Sequence, residues 1–141
     1  MKVNIKLIED GKIPVKMHKT DAGFDCYARS VRFDTTKNQV VYDLGFAIEI
    51  PRGYVGLIFP RSSVCKQDLL LTNSVGVIDS DYRGEVSAVF FATKPSFKRY
   101  EVGDRVCQLI IMPYPKVELK AVDVLSETER GNGGYGSTGN K

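Results

Sequence analysis

Asp79, Asp81, Tyr82, Arg83 and Glu85 crowd one short stretch, Gly76-Val77-Ile78-Asp79-Ser80-Asp81-Tyr82-Arg83-Gly84-Glu85, between two apolar runs. Three acids, a cation and an aromatic ring gathered there make a candidate constellation for chemistry. Turn chemistry explains Asp, Ser and Gly at these places equally well, so the stretch alone leaves both readings open. A calcium loop fits worse. Asp79, Asp81 and Gly84 match part of the EF-hand pattern, but Arg83 takes a ligand position and Phe90 stands where the closing Glu belongs.

A second stretch, Arg130-Gly131-Asn132-Gly133-Gly134-Tyr135-Gly136-Ser137-Thr138-Gly139, sets a cation, an aromatic ring and two hydroxyls among five glycines. It cannot join a core, and its glycines maximise backbone freedom. Bare N–H groups between glycines, Gly136 among them, can wrap an anion. Arg130 suits a terminal phosphate, Tyr135 the face of a base, Ser137 and Thr138 phosphate oxygens. A solvated tail is the plain alternative.

Three weaker signals accompany these. Phe59-Pro60-Arg61-Ser62-Ser63-Val64 follows an apolar run and opens a short helix in which serine would be the cap. Backbone N–H groups, hydroxyls and an Arg at such a place form a phosphate site. Asp25 stands at the entrance to a strand, and Gln108 interrupts an otherwise apolar one. A buried Gln needs partners, so Gln108 is either structural or aimed at a ligand. The one histidine, His18, is expected on a surface loop, and no Cys/His zinc set or Walker phosphate loop is present.

The elements that carry these residues read as strands. From Val40 to Ile50 the even positions are all apolar, which predicts one half-buried strand, or two with a bend near Gly45. Pro51-Arg52-Gly53 turns the chain into Tyr54–Phe59. Val3, Ile5 and Leu7 alternate near the start, and Leu109-Ile110-Ile111 is stopped by Pro113. The runs at 75–78 and 86–91 predict a hairpin around 79–85, and Val117, Leu119, Val122 and Val124 predict a last strand. No sustained helical stripe occurs. The class is therefore all-β, a barrel or sandwich.

The 141 residues suggest one domain, spanning 1–125, with a flexible C-terminal tail at 126–141. Apolar residues make up 43% and charged residues 26%, as in ordinary globular proteins. A net charge of +3 with scattered Lys and Arg fits a small anionic ligand and gives no nucleic-acid track. No apolar run is long enough to span a membrane, and the first residues lack a signal-peptide core. Cys26, Cys65 and Cys107 form no CxxC pair and read as reduced, partly buried thiols of a cytoplasmic protein.

Together, in this order and spacing, the stretches resemble the five motifs of the trimeric deoxyuridine triphosphatases, over nearly the whole chain. The first resembles Ala22-Gly23-Phe24-Asp25, the second Pro60-Arg61-Ser62-Ser63, the third Gly76 to Gly84, the fourth Gly103 to Ile110, and the fifth Arg130 to Gly139. Cys26, Ser63, Cys107 and Tyr135 stand where Leu, Gly, Ala and Phe are commoner, and none removes a group that the chemistry needs.

The resemblance implies a jelly-roll-like β barrel, a homotrimer with shared active sites, and magnesium-dependent hydrolysis of dUTP to dUMP and pyrophosphate. By motif, Asp79 would be the general base and Asp25 would hold waters of the magnesium shell. Arg61, Ser62, Ser63 and Gln108 would bind phosphate oxygens, and Arg130 the γ-phosphate. Asn73, Gly76 and Ser87 would bind substrate, with uracil reading backbone groups near Gly76 and Ser87. Tyr82 would pack under the deoxyribose, and Arg105 would support the site through an ion pair. Tyr135, Gly136, Ser137 and Thr138 would close over the nucleotide. The alternatives are a dCTP deaminase-like enzyme of the same fold and a dUTP-sensing regulatory module.

Overall fold

The computed structural model describes residues 1–134. Ten strands follow one another: β1 (Asn4–Leu7), β2 (Phe24–Tyr27), β3 (Ser30–Asp34), β4 (Gln39–Asp43), β5 (Phe46–Glu49), β6 (Tyr54–Pro60), β7 (Leu69–Leu71), β8 (Gly76–Ile78), β9 (Ser87–Ala92) and β10 (Arg105–Pro113). A 3₁₀ turn, Ser62–Lys66, is the one helical element among the described residues. Two four-stranded sheets, ordered β2-β10-β6-β8 and β3-β4-β9-β7, and a two-stranded pair β1-β5 make the β sandwich. All the pairings are antiparallel.

The alternation along 40–50 decides the core. Val40, Tyr42, Leu44, Phe46, Ile48 and Ile50 are all buried, because successive side chains of a strand point to opposite faces. The predicted bend is real. Gly45 has φ +73, a conformation that other residues adopt at a cost, and separates β4 from β5. Tyr42, Phe90 and Tyr100 pack edge to face with centroids 5.7–6.4 Å apart. The buried Tyr42 hydroxyl donates to the Tyr100 carbonyl at 3.0 Å, and burial pushes its pKa well above the ordinary tyrosine range.

Four expectations need correction. The runs flanking 79–85 are no hairpin: β8 pairs with β6 in one sheet, and β9 with β4 and β7 in the other. The segment is a crossover between sheets. Local sequence shows two apolar runs and a turn but not which strand each run pairs with. The helix at Ser62 is a single 3₁₀ turn with Arg61 as its N-cap residue and no side-chain cap. No strand forms at 117–124, where Val117, Leu119, Val122 and Val124 are exposed. An alternating pattern becomes a strand only beside a partner edge, and nothing among the described residues supplies one there. Finally, Cys26 and Cys107 are buried free thiols, but Cys65 is exposed.

Candidate active site

Antiparallel pairing gathers the first, second and fourth polar stretches. Asp25 on β2 and Gln108 on β10 are register partners, and Gln108 also pairs with Phe59 on β6. Arg61 and Ser62 follow directly from β6. Asp25, Arg61, Ser62, Arg105 and Gln108 thus wall one open cavity of about 320 Å³.

Asp25 is the hub of that cavity. Arg61 Nε donates to Oδ1 and Arg105 Nη1 to Oδ2, each at 2.9 Å. Arg61 Nη1 also donates to the Arg105 carbonyl at 3.1 Å and to Ser63 Oγ at 3.3 Å. The Ser63 hydroxyl in turn lies 3.1 Å from the Tyr100 hydroxyl, whose pKa burial raises. Gln108 Nε2 donates to the Pro60 carbonyl at 3.1 Å. Gly23 makes this packing fit: a Cβ there would lie 2.6 Å from Gln108 Oε1.

Sequence reasoning missed one wall of this cavity. Met17, His18 and Asp21 line it too. His18 does lie on an exposed loop, and its backbone exchanges hydrogen bonds with Asp21. But Val15 and Asp25 bridge through both backbone amides, so the loop between them folds back over Asp25. The turn residues Thr20-Asp21 were the only signal of that return.

Among the described residues no three His, Cys, Asp or Glu side chains converge as a metal cage. A hydrated magnesium ion needs none, since it keeps several waters and binds through one or two carboxylates and substrate phosphates. Each Asp25 oxygen accepts one N–H, which leaves it lone-pair capacity for a water of such a shell. The donor set fits an outer-shell role.

The third stretch builds a different cavity, of about 210 Å³, walled by Ile58, Asn73, Gly76, Asp79, Tyr82 and Ser87 among others. Gly76 keeps β8 close to β6, since a Cβ there would lie 3.1 Å from Ile58 Cβ. Ser87 sits where β9 has a free edge. Leu44 N–H bonds the Val86 carbonyl and Thr72 N–H the Val89 carbonyl. Hydrogen-bonding direction alternates along an antiparallel strand. The Ser87 amide and carbonyl therefore point away from β4, past the end of the β7 ladder. Tyr82 is half exposed; its N–H bonds the Asp79 carbonyl at 3.2 Å and its hydroxyl the Glu85 carbonyl at 3.0 Å.

The two cavities share no lining residue. Gly56 pairs with Ile78, so one further step sets Asp79 beside Val55. Arg61 lies about six residues along, roughly 20 Å at the rise of a strand. Within one chain, then, Asp79 and Arg61 occupy opposite ends of β6.

Arg130 is exposed, and its Nε donates to the Gly133 carbonyl at 2.9 Å. Tyr135, Gly136, Ser137 and Thr138 lie outside the described residues. Among the described residues no helix is long and apolar enough to cross a membrane.

A family model described as dUTPase matches residues 9–139. The deoxyuridine 5'-triphosphate nucleotidohydrolase of Escherichia phage T5 is 38% identical, over 99% of this chain and 99% of its own. That of Corynebacterium diphtheriae is 42% identical over 90% of this chain and 85% of its own. Among solved structures, the Staphylococcus bacteriophage 80alpha dUTPase with dUpNHpp superposes with TM-score 0.81 at 28% identity, covering 98% of each chain. A dUTPase from phage phi11 of S. aureus, described with a structural Mg(II) ion, gives 0.74 at 26% identity over 88% of this chain and 98% of its own.

Proposed function

This chain belongs to the dUTPase family, and from that premise we propose how it carries out the family's reaction. The enzyme is a dUTP diphosphatase. A water activated by Asp79 attacks the α-phosphorus of dUTP; its proton passes to the carboxylate, the α-phosphorus–bridging oxygen bond breaks, and pyrophosphate leaves. Uracil sits between Gly76 and Ser87, where the free backbone edge of β9 offers a donor and an acceptor. Tyr82 packs under the deoxyribose, and Asn73 closes the same cavity. Arg61, Ser62, Ser63 and Gln108 hold the phosphates, Arg130 the γ-phosphate, and the tail from Tyr135 to Thr138 covers the nucleotide. Asp25 would hold waters of a magnesium ion, which would supply positive charge to offset that of the triphosphate.

The observation that carries the assembly is the separation of Asp79 from Arg61. A triphosphate nucleotide that touches both needs Asp79 from one subunit and Arg61 from another, which supports a homotrimer with shared sites. The exposed apolar residues Val117, Leu119, Val124 and Leu125 also support burial against other subunits. We place the barrel domain at 1–125, the tail at 126–141 and the protein in the cytoplasm, the last on its three free thiols.

Glu85 argues against a deaminase. It is a carboxylate of the nucleoside cavity besides Asp79, but its oxygens accept three N–H bonds, from Arg29 Nε, Arg29 Nη2 and Gly45 N. A sensing role beside catalysis has one observation in its favour: the phage 80alpha dUTPase is described as controlling transfer of virulence genes. Release of pyrophosphate and dUMP from dUTP tests the reading. Release of ammonia from dCTP, or tight dUTP binding without turnover, would overturn it.

A further inference from the structure

The segment 79–85 is built as a chain of holds that ends on Glu85. Asp79 accepts from the Tyr82 amide, and the Tyr82 hydroxyl donates to the Glu85 carbonyl. Gly84 lets the ring lie flat on its own turn, since a Cβ there would meet Tyr82 Oη. The Glu85 carboxylate then leaves the segment altogether. Arg29 grips it with two parallel N–H bonds, Nε to Oε1 at 3.0 Å and Nη2 to Oε2 at 3.1 Å, and Gly45 N–H adds a third at 2.9 Å.

That grip is itself well seated. The Arg29 side chain is 19% exposed and that of Glu85 25%. The Arg29 stem lies on the bare Cα of Gly45, where a Cβ would come within 3.0 Å of Arg29 Cδ. The Gly45 carbonyl is tied to Ile8 N–H at 2.9 Å, and Arg29 N–H to the Asp43 carbonyl at 2.8 Å. A forked guanidinium fixes direction as well as distance. A lysine would supply charge without the fork.

We infer that Glu85 and Arg29 are positioning residues for sugar selection. Their fork fixes the end of the crossover, and through the Glu85 carbonyl it sets the height of the Tyr82 ring in the nucleoside cavity. The inference rests on the reading of Tyr82 as the wall against a 2′-hydroxyl. A wall rejects a hydroxyl only while it stays put, so loosening its support admits UTP before it harms dUTP. Neither Glu85 nor Arg29 needs to touch the nucleotide for this.

The test compares kcat/KM for dUTP and UTP in the wild type, Glu85→Gln, Arg29→Lys, Tyr82→Ala and the Glu85→Gln/Tyr82→Ala double variant. Glu85→Gln keeps an acceptor for Gly45 but turns an NH₂ group towards the guanidinium. We expect the dUTP-to-UTP ratio to fall about tenfold in Glu85→Gln and Arg29→Lys, the scale of coupling within one hydrogen-bonded network. The Tyr82→Ala background should abolish that further change. Equal losses for both substrates with an unchanged ratio would overturn the inference and leave a merely structural contact. Equal ratio losses with and without Tyr82 would overturn the route through the ring. If Glu85→Gln does not fold, Arg29→Lys decides alone. A wild type that does not turn over dUTP overturns the functional reading, and a Tyr82→Ala ratio equal to wild type overturns the role of Tyr82; both are visible in controls separate from the Glu85 result.

Discussion

Arg61 donates its Nε–H to Asp25 Oδ1 at 2.9 Å, closing a gap of 36 residues in sequence. The same guanidinium reaches Ser63 and the Arg105 carbonyl, so three polar stretches share one side chain. Asp25 keeps its second partner, Arg105, if Arg61 changes.

Arg61→Lys should therefore fold, yet turn over dUTP up to ~100-fold more slowly, the loss that a misplacement of about 1 Å produces. Steady-state kinetics beside a thermal melt checks this. Wild-type turnover would show that the triple contact is dispensable.

Asp79→Asn should lower kcat by roughly two to four powers of ten, the usual worth of a general base. The amide keeps the shape of the side chain, so binding of a non-hydrolysable dUTP analogue should persist. Calorimetry of that binding and single-turnover hydrolysis measure the two halves, and near-normal turnover would sink the assignment.

Sedimentation equilibrium should give a trimer at micromolar concentration. Shared sites make a sharper demand. Asp79→Asn and Arg61→Ala proteins, each weakly active, should regain activity when unfolded together and refolded. Random assortment restores about a quarter of the sites when the two residues come from different subunits. No gain on mixing would put Asp79 and Arg61 in one subunit after all.

Removal of everything after Glu129 should leave fold and assembly intact, because residues 126–134 contribute nothing to the core. Turnover of dUTP should fall steeply through loss of Arg130 and Tyr135. Stacking on an aromatic ring is worth about 1–3 kcal/mol per base, so the KM for dUTP should rise as well. A truncated protein with the full-length rate would make the tail a solvated end.

How much of this was legible in sequence differs by residue. Period two found the buried faces of β4 and β5 because alternation is local. The all-β class and the motif order followed from the same short range. The pairing of β8 with β6 was invisible, since a three-residue strand carries no mark of its partner. Arg61 and Asp25 could be nominated singly, but their ion pair depends on β10 lying between their strands. His18 was placed correctly on a loop and missed as part of the cavity, because the bridge from Val15 to Asp25 leaves no trace in composition.

Asp43, the register partner of Ser87, offers a test of electrostatics in the fold. Arg32 makes a fork to it at 2.9 and 3.1 Å, Ser30 adds a hydroxyl, and its pKa lies below the ordinary aspartate value. A depressed carboxyl stabilises the fold above its unfolded pKa of about 3.9, and the gain is lost as pH falls through the folded value. The melting-temperature gap between wild type and Asp43→Asn should be widest near neutrality and should narrow below about pH 4. A gap that stays constant from pH 7 to pH 3 would contradict the ion pair's contribution.

The crossover at 79–85 leaves one sheet and enters the other, and the cavity beside it has walls from both. A nucleotide seated there is a clasp between two layers otherwise joined through their core. Its binding free energy is then drawn directly against the parting of the layers, by RT ln(1 + [L]/Kd) for free ligand L. Slow amide exchange in β8 and β9, which share no hydrogen bonds with each other, should lengthen together on occupancy. Two strands linked only through the core in the empty protein gain a second link, through the substrate, once it is in place.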